Sequence, residues 1–187
     1  MTPGAGAQKR LCIDLCSGRG GFSRAFVVAG WEVVTVDIDP KFHPVLCKDV
    51  TEPDAFYRIE DVTELGRERM GAYDKVAVLA SPPCQKNSIA NARVWLKGIG
   101  QGLRIAAGCT DIIAMVVEAR GGKETDFALE NPKGRLRWFM GKPNVTVRLK
   151  NYGYPTSKPT DIWTNLKLPM LESDAKGDGG RHNFPFR

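Results

Sequence analysis

A thiol and a carboxyl group each stand where an apolar run meets a proline. Cys84 ends the tetrapeptide Ser-Pro-Pro-Cys after the apolar run 76–80, and Glu130 ends the run 126–130 and is followed by Asn-Pro. Proline cannot continue a strand ladder, so each predicted strand should stop there and present its reactive residue at its carboxyl end. Ligands of open α/β sheets bind at that edge. If the two strands are neighbours, the thiol and the carboxyl share one pocket; otherwise Cys84 is an ordinary buried thiol.

A glycine-rich turn near the start of the chain provides a second candidate site. It follows the predicted strand 11–15, contains Gly18, Gly20 and Gly21, and precedes a predicted helix over 23–29. Glycines permit positive φ and let the backbone approach a ligand closely. A turn of this kind is a weak signal alone, since it can be purely structural.

Acidic residues at the ends of three predicted strands strengthen that signal. Asp14, Asp37 and Asp49 end or follow the runs 11–15, 31–37 and 45–47. An acid at such a strand end can bind ribose hydroxyls, although each one could instead cap the next turn. Three acids favour a cationic cofactor, S-adenosylmethionine, over a dinucleotide whose pyrophosphate they would repel.

Composition bounds the class of protein. The chain has 187 residues, 42% of them hydrophobic, which suits one domain over 1–187: a flexible leader (1–9), a core (10–166) and a weakly ordered tail (167–187). No apolar run suits a membrane span or signal peptide, so we expect a soluble, cytoplasmic protein. Five scattered cysteines and two histidines predict no disulfide framework and no metal site.

The positive charge is concentrated in the second part of the chain. Residues 75–187 carry 18 Lys or Arg against 9 Asp or Glu, whereas residues 1–74 carry 9 against 12. Aromatic residues are interleaved with these cations, a pattern typical of phosphate contact beside base stacking, although an ordinary solvated surface is equally compatible. The predicted nucleic-acid-binding residues are Lys86, Arg93, Lys97, Arg135, Arg137 and Lys158.

The remaining patterns complete an α/β fold. A charged helix is predicted over 54–70, a polar lid or substrate loop over 85–101, an apolar crossing helix over 103–118 and a short helix over 134–140. Further strands are predicted over 144–149 and 161–165. We expect a seven-stranded, mostly parallel sheet with helices on both faces.

The order of these motifs resembles that of the cytosine carbon-5 DNA methyltransferases, most closely short, phage-like members. The resemblance covers roughly residues 10–166 and rests on six motifs: the glycine-rich turn, Asp37, the Asp49-Val50 pair, the Ser-Pro-Pro-Cys-Gln and Glu-Asn segments, and Tyr-Gly-Tyr-Pro at 152–155. It implies a Rossmann-like, class I S-adenosylmethionine-dependent fold. The cofactor-binding residues it implies are Asp14, Cys16, Ser17, Gly18, Gly20, Gly21, Phe22, Asp37, Ile38, Asp49, Val50, Pro82 and Leu103.

The resemblance also implies a reaction, DNA (cytosine-5-)-methyl transfer. Cys84 would add to carbon 6 of cytosine and thereby activate carbon 5, with Glu130 and Asn131 binding the ring and Lys158 as a cationic neighbour. A target base inside a duplex must be flipped out to reach these residues.

Several positions depart from the family pattern and leave alternatives open. Ser81 stands where glycine is usual and Pro132 where a valine-like residue is, while Thr156, Lys158 and Thr160 replace a glutamine and two arginines. No target-recognition domain is predicted, so the enzyme would have low sequence specificity, would rely on a specificity subunit or a homo-oligomer for recognition, or would read a short context through the 85–101 loop. The alternatives are an exocyclic-amine DNA methyltransferase, a tRNA cytosine methyltransferase and a catalytically silent nucleic-acid-binding subunit.

Overall fold

Within the part of the chain that the structure describes, seven strands form one mixed sheet in the order β3-β2-β1-β4-β5-β7-β6. The computed structural model describes residues 8–66, 69–84, 95–153 and 158–168. The strands are β1 (Arg10–Leu15), β2 (Glu32–Asp37), β3 (Leu46–Cys47), β4 (Lys75–Ala80), β5 (Thr125–Pro132), β6 (Val145–Arg148) and β7 (Pro159–Thr164). The helices are α1 (Arg24–Val28), α2 (Ala55–Val62), α3 (Trp95–Ala119) and α4 (Arg137–Met140).

The first five strands run parallel, and β7 runs antiparallel between β5 and β6. The central strands β1 and β4 are mostly apolar and are buried at all but their first residue, as expected for strands of a parallel sheet that is covered on both faces. The edge strand β3 has no buried residue. One face carries the larger core, which includes Ile13, Val78, Phe127 and residues of α2 and α3. The opposite face carries a smaller cluster around Cys12, Leu79 and Ala128, against which Phe26 of α1 packs. The predicted α/β class, with a mostly parallel seven-stranded sheet, is confirmed.

The crossing helix α3 is longer than predicted. It begins at Trp95 rather than at position 103, so the predicted loop over 85–101 was wrong from residue 95 onward, and residues 85–94 lie outside the described part of the chain. Gly100 and Gly102 suggested a loop because each glycine weakens a helix by about 1 kcal/mol. No proline interrupts 95–119, and buried residues such as Ala106 and Ile113 anchor the helix in the core.

Two other boundaries differ for local reasons. The helix predicted over 54–70 ends at Val62, and Gly66 then takes a positive φ of 72°. β5 continues through Pro132, although proline was predicted to stop it. β4 pairs with β5 only as far as Leu129, so beyond that residue β5 has a strand neighbour on one side only, and proline is tolerated on such an edge.

Candidate functional site

The segment that carries Cys84 is hydrogen-bonded to the segment that carries Glu130. β4 and β5 are adjacent and parallel, with Ala80 in register with Leu129. The segments that follow these residues therefore lie at the same edge of the sheet. There the Asn131 Nδ2 donates to the carbonyl oxygen of Pro82 at 2.8 Å. Asn131 is buried, which makes this bond a fixed link between the two motifs.

Glu130 is half-buried, and two neighbouring side chains stabilise its charged form. Burial raises the pKa of its carboxyl group above the usual range, whereas a hydrogen bond with the Ser81 side chain and the positive charge of Lys158 lower it. The net result is a carboxyl group that holds its proton to a higher pH than an exposed glutamate. Cys84 is a free thiol and half-buried, so it is accessible at this edge rather than packed in the core.

A cavity of about 560 Å³ opens beside the cysteine segment (81–84). Five of the predicted cofactor residues line it, and so does Pro83, which precedes Cys84. The full lining consists of Cys16, Asp37, Ile38, Lys48, Asp49, Val50, Thr51, Pro83, Gln101, Gly102, Arg104 and Ile105. The cavity therefore extends from the carboxyl ends of β1 and β2 to Pro83 of the cysteine segment, whereas Cys84 and Glu130 are not part of its lining.

The glycine-rich turn (16–23) closes onto the end of β2. Gly18 and Gly20 have positive φ, and so does Cys16, at 56°, a conformation that few non-glycine residues adopt. The Gly18 N–H donates to Asp37 Oδ2 at 2.8 Å, and the Asp39 N–H donates to Asp37 Oδ1 at 2.9 Å. Asp37 thus holds the turn in place at the cavity wall.

Two buried polar atoms near this turn lack hydrogen-bond partners among the described residues. They are Ser17 Oγ and Asp14 Oδ1. The other carboxyl oxygen of Asp14 accepts a hydrogen bond from Ser23 Oγ at 2.6 Å, and burial raises the Asp14 pKa to about 6 despite that bond. Unpaired buried polar atoms are costly, so the open hydroxyl and carboxyl oxygen of these two residues are compatible with a polar, cationic ligand at the turn, although neither residue lines the cavity.

The other cofactor residues predicted from the sequence do not line the cavity. Three of them belong to the glycine-rich turn itself, namely Ser17, Gly18 and Gly20, and Asp14 lies in β1 beneath it. Phe22 packs against the smaller core and Leu103 against the larger one. Gly21 and Pro82 are likewise absent from the lining, although both are described.

Sequence reasoning missed part of the cavity wall. Gln101, Gly102, Arg104 and Ile105 were missed because this stretch was read as a loop running into a helix, whereas it lies within α3. Lys48 was overlooked although it directly precedes the Asp49-Val50 pair. Its ammonium group pairs with Asp54 at 2.8 Å and with Glu52, so its charge is compensated.

The comparisons with known proteins bear directly on this arrangement. The model of the C-5 cytosine-specific DNA methylases matches residues 11–120, more than half of the chain. The chain belongs to this family. The match confirms the family predicted from the motifs and, with it, the enzyme class that the family represents. It includes Cys84 and every predicted cofactor residue of the methylase, while Glu130, Asn131 and Lys158 lie beyond it.

The other comparisons add little. Curated proteins gave no significant match. Among solved structures, one matching chain is an oxidoreductase (short chain dehydrogenase/reductase) from Brucella ovis, with 17% identity over 58% of the methylase chain and 57% of that chain, at a TM-score of 0.31. The methylase thus spans little more than half the length of that protein, and a likeness this small carries no functional argument.

The predicted nucleic-acid-binding residues of the methylase separate into different environments. Arg137 is half-buried and forms a bidentate ion pair with Asp161, with both nitrogen–oxygen distances at 2.5 Å, so its guanidinium has a structural partner. Arg135 is half-buried and Lys158 is exposed. Lys86, Arg93 and the Lys97 side chain lie outside the described part of the structure.

Two further findings concern the described residues only. They contain no group of three or more His, Cys, Asp or Glu side chains that could hold a metal ion. No helix within these ranges has the length and apolar character needed to cross a membrane.

Proposed function

We propose that this methylase transfers a methyl group from S-adenosylmethionine to carbon 5 of cytosine in DNA, through a covalent adduct at Cys84. The observation that carries the proposal is the hydrogen bond from Asn131 to Pro82, which joins the cysteine segment to the strand of Glu130. A thiol, and a carboxyl group whose pKa is raised by burial, are the two groups that this chemistry requires at one sheet edge.

The cavity residues support the choice of cofactor. Asp37 and Asp49 line the cavity, and Asp14 lies buried at the end of β1, so carboxylates outnumber the uncompensated cations on this side. When bound, S-adenosylmethionine supplies an electrophilic methyl group on a cationic sulfur. Asp37 would bind the ribose, Val50 would contact the adenine, and the open oxygens of Ser17 and Asp14 would face the polar end of the ligand.

Each catalytic residue then has one task. The Cys84 thiolate attacks carbon 6 of a flipped cytosine, forming a carbon–sulfur bond and moving electron density towards carbon 5. Glu130, whose pKa is raised by burial, donates a proton to ring nitrogen 3 as that negative charge develops. After methyl transfer, a base removes the proton from carbon 5, and the electron pair of that bond expels the Cys84 thiolate as the carbon–sulfur bond breaks. Glu130 takes back the proton from ring nitrogen 3, which releases neutral 5-methylcytosine.

The position of the transferred methyl group tests the proposal. Full-length protein is incubated with methyl-labelled S-adenosylmethionine and cytosine-containing DNA, and the nucleosides are separated after digestion. We expect label in 5-methylcytosine, and we expect DNA carrying 5-fluorocytosine to form a stable adduct with the protein, because fluorine blocks the elimination step. Label on the exocyclic amine would contradict the proposal, and label in tRNA but not in DNA would identify an RNA substrate.

Substitution of the nucleophile provides the matched test. Cys84→Ser should reduce transfer by at least about 10³-fold, since a hydroxyl is a far weaker nucleophile at neutral pH. Cys47→Ser is the control, because Cys47 is also a free thiol but is exposed at the end of β3. Equal rates for the two variants would remove Cys84 from the mechanism.

A further inference from the structure

The single-turn helix α4 presents two adjacent aromatic side chains to solvent. Trp138 is 69% exposed and Phe139 is 56% exposed. On the other side of the same turn Leu136 is fully buried, and Met140 packs against the larger core. Large aromatic side chains exposed side by side on a fixed element mark an interaction surface, because their burial in a partner is favourable.

α4 is held in place by bonds that reach across the sheet. Arg137 pairs with the fully buried Asp161 of β7 and also donates to Thr146 Oγ1 of β6 at 2.8 Å. At the end of the helix, the Trp163 indole N–H donates to the carbonyl oxygen of Gly141 at 3.2 Å. The exposed rings are therefore carried on a rigid support, which lowers the entropy cost of binding.

The charge around α4 indicates the chemistry of the partner. The sequence has no acidic residue between positions 131 and 160, and this stretch carries seven Lys or Arg residues. Among them Lys133, before α4, and Lys150, after β6, are exposed. Exposed aromatic rings amid cations match a polyanion that carries flat rings, which is a nucleic acid. A second copy of the same surface would be repelled by its own charge.

We infer that Trp138 and Phe139 form a stacking platform for bases of the DNA substrate, and that Arg137 serves as the clamp for this platform rather than as a phosphate contact. The inference rests on the proposed function for the identity of the nucleic acid. It reverses the expectation from sequence, in which Arg137 was the contact residue. Unstacked bases next to a flipped cytosine would offer the faces that the platform can bind.

The binding of fluorescently labelled, cytosine-containing DNA to the full-length protein tests this inference, with anisotropy measured over a range of salt concentrations. Trp138→Leu keeps an apolar side chain but removes the aromatic face, and should weaken binding about tenfold. Trp138→Phe should stay within about threefold of the parent protein because a smaller ring still stacks. Phe139→Ala gives an independent second variant, and Tyr57→Ala, an exposed aromatic position on α2, is the control and should not change the affinity.

The salt dependence separates stacking from charge. Trp138→Leu should leave the slope of log affinity against log salt unchanged, whereas Lys133→Gln should reduce its magnitude by about 0.9 if that lysine contacts a phosphate. Parent-like affinity of both Trp138→Leu and Phe139→Ala would overturn the inference. So would a concentration-dependent change of oligomeric state caused by these variants without a change in DNA affinity, since it would identify a second copy as the occupant.

The two proposals fail in different ways. Trp138-dependent DNA binding without any 5-methylcytosine would support the platform and contradict the proposed function. Normal production of 5-methylcytosine by a Trp138→Leu variant with unchanged DNA affinity would contradict the platform alone.

Discussion

Two regions at the carboxyl ends of the parallel strands are held in place in different ways: the cofactor side, at the ends of β1 to β3, and the target side, at the ends of β4 and β5 with α4 and β7. On the cofactor side, most of these bonds join near neighbours: Asp37 accepts a bond from the N–H of Asp39, and Asp49 accepts bonds from the N–H and hydroxyl of Thr51. The bond from Gly18 to Asp37 is the longer-range exception, at 19 residues. On the target side, the bonds join distant parts of the chain, with Arg137 and Asp161 separated by 24 residues and Asn131 and Pro82 by 49. Local bonds shape a cavity and long-range bonds position the strands, so the two sides should respond differently to substitution.

The largest expected effect is on the target side. Arg137→Gln leaves the fully buried Asp161 carboxylate without its cation, and we expect a loss of about 3 kcal/mol in the free energy of unfolding. This expected loss is at the low end of the range for breaking a buried ion pair, because the Thr146 hydroxyl still donates a hydrogen bond to Asp161. Urea denaturation at neutral pH measures the loss. Lys133→Gln is the exposed control and should stay within about 0.5 kcal/mol; equal losses for both variants would show that the ion pair is not the anchor of α4.

On the cofactor side, Asp14 should make stability depend on pH. Because its pKa is raised from 3.8 to about 6, its contribution to stability is complete below about pH 4 and is lost as the pH rises through 6. Asp14→Asn cannot ionise, so the variant should gain about 2 to 3 kcal/mol relative to the parent protein between pH 4 and pH 7.

The measurement for Asp14 is the difference in the free energy of unfolding between parent and variant at each pH, since contributions of other groups cancel. Ser23→Ala removes the side-chain hydrogen bond that lowers the pKa of Asp14. In the Ser23→Ala background the pKa of Asp14 should be higher, so the loss of stability should extend to higher pH. A difference that stays constant from pH 4 to pH 8 would contradict the raised pKa of Asp14.

A smaller effect is expected where α3 contacts the cavity wall. A Cβ at Gly108 would lie 2.6 Å from the Val50 carbonyl oxygen, whereas a Cβ at Gly100 of the same helix would meet nothing within 4 Å. Gly108→Ala should displace Val50 and weaken S-adenosylmethionine binding about tenfold, with about 1 to 2 kcal/mol of destabilisation. Gly100→Ala should keep the affinity and stabilise the helix by up to about 1 kcal/mol. Calorimetric titration measures the affinities, and equal values for the two variants would contradict a role for Gly108 in shaping the cavity.

The difference between contacts of sequence neighbours and contacts of distant residues also explains how much could be predicted from the sequence. All seven strands were predicted, because apolar runs bounded by turn residues are local signals, and Asp37 and Asp49 were found at the cavity because they directly follow such runs. The structural role of Arg137 could not be predicted, since its partner is distant in the sequence. The start of α3 was missed because local glycine propensity is overridden by tertiary packing.

The register of β5 and β7 brings the target-side contacts onto a single pair of residues. Asn131 lies directly opposite Asp161 in the antiparallel ladder. Asn131 donates a hydrogen bond to Pro82 of the cysteine segment, and Asp161 pairs with Arg137 of α4. The cysteine segment and α4 are thus connected by three successive contacts: Pro82 with Asn131, Asn131 with Asp161, and Asp161 with Arg137. A displacement of either one should therefore also displace β5, the strand that carries Glu130.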